Sequence, residues 1–202
     1  MDIDPKDLIE TSSAAADLRE RRAVRLNAAV AVTVALLATF MGICKVKDDN
    51  IVQAMQQAQA DRIDHWAFYQ ARNLREEVAK STLVQLRLQA AVAGPQHQAA
   101  FQEQIAAYDA LAKDQAHKKE DLRVQAEKDQ ATYDALNFHD DQFDLSDAMI
   151  AIAISLLAVT ALTQLWWLFG LSLVPAAFGV VMGMAGLAGW GIHPGALIRL
   201  LS

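Results

Sequence analysis

The side chains best placed to do chemistry are carboxylates. His139, Asp140, Asp141, Asp144 and Asp147 crowd one stretch, and Asp48 and Asp49 stand at a matching distance from an earlier apolar run. Oxygen-rich groups of this kind can hold Ca²⁺ or Mg²⁺. Repeated around a symmetric ring, they would concentrate negative potential into a cation vestibule. The spacing matches no EF-hand loop, however, and Lys45 and Lys47 are near enough to neutralise part of the charge. A solvated, salt-bridged collar is therefore expected here. Asp140, Asp141, Asp144, Asp48 and Asp49 form a weak cation-site candidate, and no metal is assigned.

Other reactive groups are scattered. His65, His97, His117 and His193 lie far apart, and none stands in a pattern that implies a nucleophile or a ligand set, so each is expected to be an exposed helix histidine. Cys44 is the single cysteine. It allows no intramolecular disulfide and no cysteine-based zinc site within one chain. With no Walker loop, dinucleotide fingerprint or c-type haem motif, the sequence offers no enzyme and no cofactor.

The elements that must position these residues are set by hydropathy. The chain is 53% apolar with a net charge of −6, but the apolar residues concentrate in Leu26–Cys44, Ala148–Leu165 and Leu171–Ala188. Leu26–Cys44 carries no charge and would be roughly 28 Å long as a helix, enough to span a hydrocarbon core. Its leader is long and of mixed charge, and no small-x-small cleavage site follows, so an uncleaved anchor is expected rather than a signal peptide. Arg19, Arg21, Arg22 and Arg25 crowd its N-terminal edge, whereas Lys45 and Lys47 are offset by Asp48 and Asp49. The positive-inside rule then places residues 1–25 in the cytoplasm and residues 45–147 on the far side of an inner membrane, in the periplasm of a Gram-negative cell. That block is acidic, which speaks against nucleic acid as a partner.

Within 45–147 the only Gly or Pro residues are Gly94 and Pro95. Ala, Gln, Leu, Arg and Glu favour helix on either side, and the Gly-Pro pair supplies a stop and a start. Legs Lys45–Ala93 and Gln96–Asp144 are equal in length, about 70 Å each if fully helical. The expected architecture is an all-α membrane protein: transmembrane helices at 26–44, 148–165 and 171–190, a long extramembrane antiparallel helical hairpin with its tip at 94–95, and a tail at 191–202. Heptad spacing marks Phe101, Ile105, Tyr108, Ala112, Gln115, Leu122, Ala126, Asp129, Tyr133 and Leu136 as the seam of the return leg. On the outgoing leg it marks Leu74, Val78, Ser81, Gln85, Leu88 and Val92. A seam thinned by Ala, Ser and Gln buries little area, so neighbouring protomers or a partner are expected to complete it.

In His65-Trp66-Ala67-Phe68-Tyr69-Gln70, Trp66 and Tyr69 share a face while Phe68 points about 200° from Trp66. One face can pack on the return leg, and the other is a candidate oligomer contact. The run from Gln57 to Arg75, with its Trp66-Ala67-Phe68-Tyr69-Gln70-Ala71 core directly after an anchor, resembles bacterial membrane proteins grouped as a domain of unknown function, family 4337. The resemblance covers most of the chain after Asn27. It implies a second helical leg and a C-terminal two-span hairpin, and no established activity. This chain departs from it between the last two spans, where Thr163-Gln164-Leu165-Trp166-Trp167 replaces a basic stretch.

At the C-terminal pair, Asp144 or Ser146 is expected to cap the second span. Ala148, Ala151, Ser155 and Ala158 share one of its faces, and Gly179 and Gly183 form a GxxxG pair in the third. Such stripes allow close backbone approach, either between spans two and three or in an oligomer. The spans hold no Asp, Glu, Lys, Arg or His; Thr33, Thr39, Ser155 and Thr160 can satisfy themselves on backbone carbonyls, and a transporter is not expected. The function expected is a structural, self-assembling membrane scaffold, with Trp66, Phe68, Tyr69, Gly179 and Gly183 as interface candidates. An accessory subunit of a larger membrane complex is the alternative, and an oligomeric cation channel the second. The lipid bilayer and a homo-oligomer or complex are the expected partners, and the sequence names no small-molecule ligand.

Overall fold

The computed structural model describes the backbone of residues 5–192, with side chains from Asp17 onward. The described chain is helical but for its turns. Helix α1 runs Pro5–Val92, a 3₁₀ turn covers Pro95–His97, α2 runs Gln98–Thr163 and α3 runs Trp166–Ala188. The three helices pack antiparallel, and each is long and apolar enough to cross a membrane. His193, expected to be exposed, and the rest of the 191–202 tail from that residue on lie outside the described residues.

The chain divides into two compact units. Of the described residues, those up to Val52 and those from Phe138 onward form a bundle, and Gln53–Asn137 form a hairpin. In the bundle, Leu26, Val30 and Leu37 of α1 meet Ile150, Ala153 and Leu157 of α2 and Ala176 of α3. Hydroxyls in this apolar setting satisfy themselves as the sequence suggests: Thr33, Thr39, Ser155 and Thr160 each donate to the carbonyl four residues back, at 2.8 Å. Helix α3 begins at Trp166 rather than Leu171, after a tight turn in which Gln164 takes φ 58. The Gln164 amide then donates to Asn27 Oδ1 at 2.9 Å, which ties the turn to α1. At the other end Gly189 takes φ 68, a left-handed C-cap that glycine adopts without strain.

No cap interrupts α2 at Asp144 or Ser146, because the helix is continuous there. Ser146 serves the tertiary structure instead. Its hydroxyl is buried and donates to the Gly179 carbonyl at 2.8 Å. One turn earlier, fully buried Gln142 donates from Nε2 to the carbonyls of Trp190 (2.8 Å) and Ile192 (2.6 Å), fixing the end of α3. Apolar packing brings the helices together, and these polar bolts set their register.

In the hairpin the legs reverse through Gly94 and Pro95. The Gln98 side chain donates to the Ala90 carbonyl at 2.8 Å and closes the turn. The return-leg seam follows the expected spacing, with Ala112, Gln115 and Ala126 buried and Phe101, Ile105, Tyr108, Leu122, Tyr133 and Leu136 half-buried. The outgoing leg does not. Leu74, Val78, Leu88 and Val92 are 66%, 57%, 67% and 87% exposed. The face turned to α2 runs instead through Met55, Ala58, Arg62, His65, Tyr69, Arg72, Glu76, Ala79, Leu83 and Ala90. It too alternates steps of three and four, with half-buried Leu86 between Leu83 and Ala90, but it is more polar than the face it displaces.

Candidate assembly surfaces

Polar pairs across the hairpin explain the inverted leg. The Arg62 guanidinium donates to Gln130 Oε1, and His65 Nδ1 lies 2.6 Å from Asp129 Oδ2. Arg72 donates to Gln115 Oε1 at 3.1 Å, and Lys119 reaches Glu76 at 2.6 Å and Asn73 at 3.2 Å. Glu76, only 4% exposed, also holds Lys80 at 2.6 Å. Hydrogen bonds from Lys119 and then Lys80 keep its carboxyl below the usual carboxylate range. Seam alanines at 58, 79, 90, 112 and 126 let the helices approach closely enough for these long side chains to bridge. His65 is thus a seam residue, contrary to its expected exposure, whereas His117 is exposed beside Asp121 at 2.9 Å.

The aromatic cluster divides as the helical angles require. Tyr69 turns into the seam with the Lys119 ammonium 5.9 Å from its ring centre, and Trp66 packs edge-on against it at 5.2 Å. Trp66 borders a shallow groove of about 590 Å³ lined by Arg62, Ile63, Gln70, Ala126 and Gln130. Phe68 points away and is mostly exposed. Trp66 and Phe68 therefore remain available to a partner, and Tyr69 is engaged within the chain.

Gly179 and Gly183, the other interface candidates, are used inside the chain. A Cβ on Gly179 would stand 2.8 Å from Ile150 Cγ1 and 3.0 Å from the Ser146 carbonyl; on Gly183 it would meet the Phe40 ring at 2.7 Å and Ser146 Oγ at 2.8 Å. Gly186 stands in the same way against Phe143. The stripe brings α3 onto α2 and Phe40 of α1, and leaves no free surface for an oligomer contact.

The carboxylates do not converge into a cation site. Asp48, 3% exposed, takes a hydrogen bond from Lys45 at 2.7 Å, while Asp49, the next residue round the helix, is exposed and lies 3.5 Å from the same ammonium. Asp140 faces Asp48 across the helices. Burial, then a hydrogen bond shared with Asp48, then the charges of Asp144 and Asp141 push its carboxyl up to about 6. Asp144 is raised as well, chiefly by burial. Asp48 and Asp140 meet within a helix–helix contact, and among the described residues no three metal-ligating side chains converge.

Sequence reasoning missed the cross-leg ladder of Arg62, His65, Arg72 and Glu76. The available signal was that their partners, Gln130, Asp129, Gln115 and Lys119 in that order, lie on or beside the return-leg seam beyond the turn. Among the described residues, three membrane-capable helices, a polar-bolted bundle and a two-helix hairpin define the class. The chain belongs to the family DUF4337, a domain of unknown function, whose model matches residues 26–189. No curated protein and no solved structure matches it.

Proposed function

We propose that this is a structural membrane protein that assembles with copies of itself through its hairpin. The reading places it as a multi-pass protein of an inner membrane, N-terminus in the cytoplasm and hairpin in the periplasm, on the strength of the arginines at 19, 21, 22 and 25 before the first span. The observation that carries self-assembly is the outward apolar face of α1, from Leu74 to Val92, in a hairpin whose own seam is thin and polar. A monomer would leave that face to water. The glycine stripe takes no part, since it is consumed within the chain.

The test is the native mass of the full chain extracted gently from its own membrane, with every retained protein identified. A multiple of the chain mass with no other component is expected. A monomer would contradict the reading. Stoichiometric retention of a different protein would favour the accessory-subunit alternative, for which the open groove beside Trp66 is the observation in hand.

A further inference from the structure

We infer that the outward face of α1 from Ala67 to Val92 is a second coiled-coil seam, and that it takes the same face of a second copy of the chain, parallel and in register. The inference deepens the self-assembly reading and rests on it.

The geometry begins with the first seam. Once Met55, Tyr69, Glu76, Leu83 and Ala90 face α2, heptad spacing fixes what lies opposite. One set of opposite positions is Ala71, Val78, Gln85 and Val92; the other is Ala67, Leu74, Ser81 and Leu88. The two sets alternate by three and four residues, so they form a complete second seam about 200° around the helix.

Its residue types specify the occupant. The first set carries β-branched Val78 and Val92, and the second carries Leu74 and Leu88. This is the combination that selects parallel, two-stranded coiled coils, and a single polar residue in the first set, here Gln85, fixes register. Charge agrees. Arg75 and Glu77, one on each flank, are the charged residues bordering the outward stripe between Ala67 and Val92. In parallel pairing the flanks bring Gln70 against Arg75 and Glu77 against Thr82 of the other copy, so no like charges meet. Asp64 ends the stripe, because a further turn would set two like carboxylates opposite each other. The size is also sufficient. Phe68, Leu74, Val78, Val84, Leu88 and Val92 are each more than half exposed. At on the order of 100 Å² apiece, two copies would bury roughly 1,200 Å², the lower bound of a standard specific interface. Copies anchored in one membrane with the same orientation meet in parallel without further cost.

The experiment uses the full chain in its native membrane with Cys44→Ser, so that no other thiol is present. Leu74→Cys and Leu88→Cys are introduced singly and exposed to a mild oxidant, with Ala110→Cys, on the exposed side of the return leg, as control. Most of the Leu74→Cys and Leu88→Cys chains are expected at twice the monomer mass, with Ala110→Cys remaining monomeric. If disulfides form only between co-expressed Leu74→Cys and Leu88→Cys chains, the pairing is antiparallel and the inference falls. Cross-linking of position 74 to a different protein overturns it as well. If neither position cross-links while the native mass remains a multiple, the inference falls and self-assembly runs through another surface. A monomeric native mass removes both.

Discussion

Two stripes in this chain carry the spacing of helix-association surfaces, and the fold treats them in opposite ways. Gly179, Gly183 and Gly186 of α3 are pressed against Ile150, Phe40 and Phe143 of the same chain, so closely that a methyl group has no room. Leu74, Val78, Leu88 and Val92 of α1 are turned outward. The difference is that periodicity identifies a surface suited to helix association without saying which helix it meets. A glycine stripe offers little area but close approach, which suits helices already joined by a two-residue turn. The leucine–valine stripe offers area, and the return leg of its own chain is already held by charged and amide side chains.

The contrast can be pressed at both ends, and the largest effect is expected at the glycines. Gly183→Leu must displace the Phe40 ring and Ser146, breaking a packed contact and a buried hydrogen bond together. A loss of about 3 kcal/mol or more in bundle stability is expected, read as a fall in recoverable folded protein in detergent. An unchanged yield with a shift to monomer would mean the glycine stripe is the oligomer surface after all. A smaller loss follows overpacking in the hairpin. Ala79→Leu or Ala126→Leu, both fully buried, should cost about 1–3 kcal/mol by forcing the legs apart. The same change at exposed Ala110 should leave the melting curve in place.

Acidity should act on the two units with opposite sign. The Glu76 carboxyl lies below the ordinary carboxylate value in the folded hairpin, so its contribution is present above that value and lost as pH falls through the folded pKa. Asp140 lies above it, at about 6, so its contribution is present in acid and lost as pH rises through about 6. Hydrogen exchange in Leu83–Ala90 should therefore quicken in acid, and Glu76→Gln should abolish that dependence. Exchange around Phe143–Ile150 should quicken as pH rises past 6, and Asp140→Asn should abolish it. Parallel pH responses in both segments would contradict this assignment. The smallest effect is expected at the exposed Lys113–Asp109 pair, where Lys113→Ala should leave the unfolding temperature unchanged.

How far the sequence could be read depended on what each seam is made of. Helix content and the return leg were legible because Phe101, Ile105 and Tyr108 announce their face by hydropathy, and long segments free of Gly and Pro leave few alternatives. The outgoing leg was not. Its inward face is written in Arg62, His65, Arg72 and Glu76, which look solvated until the side chains they meet across the turn are known. Local pattern favoured Leu74 and Leu88, and tertiary pairing prevailed. Among the candidate sites, the turn of Phe68 away from Trp66 and Tyr69 followed from helical angles alone, whereas the exposure of Trp66 beside an engaged Tyr69 did not. The acidic collar did not, since Asp48 and Asp49 are neighbours in sequence but diverge around the helix, one buried against Asp140 and the other in solvent. Ser146 was equally opaque, because a helix cap and a buried interhelical donor require the same residue type.

The account turns on the outward face of α1, and one measurement addresses it directly: the native mass of the gently extracted protein beside that of the Leu74→Lys, Leu88→Lys double variant. Two lysines at positions exposed in the single chain leave the hairpin's own seam intact, so helix content should not change. The parent protein is expected at an even multiple of the chain mass, and the variant at half that mass or less. Equal masses, or a parent that is already monomeric, would contradict the claim that this face joins one copy to the next.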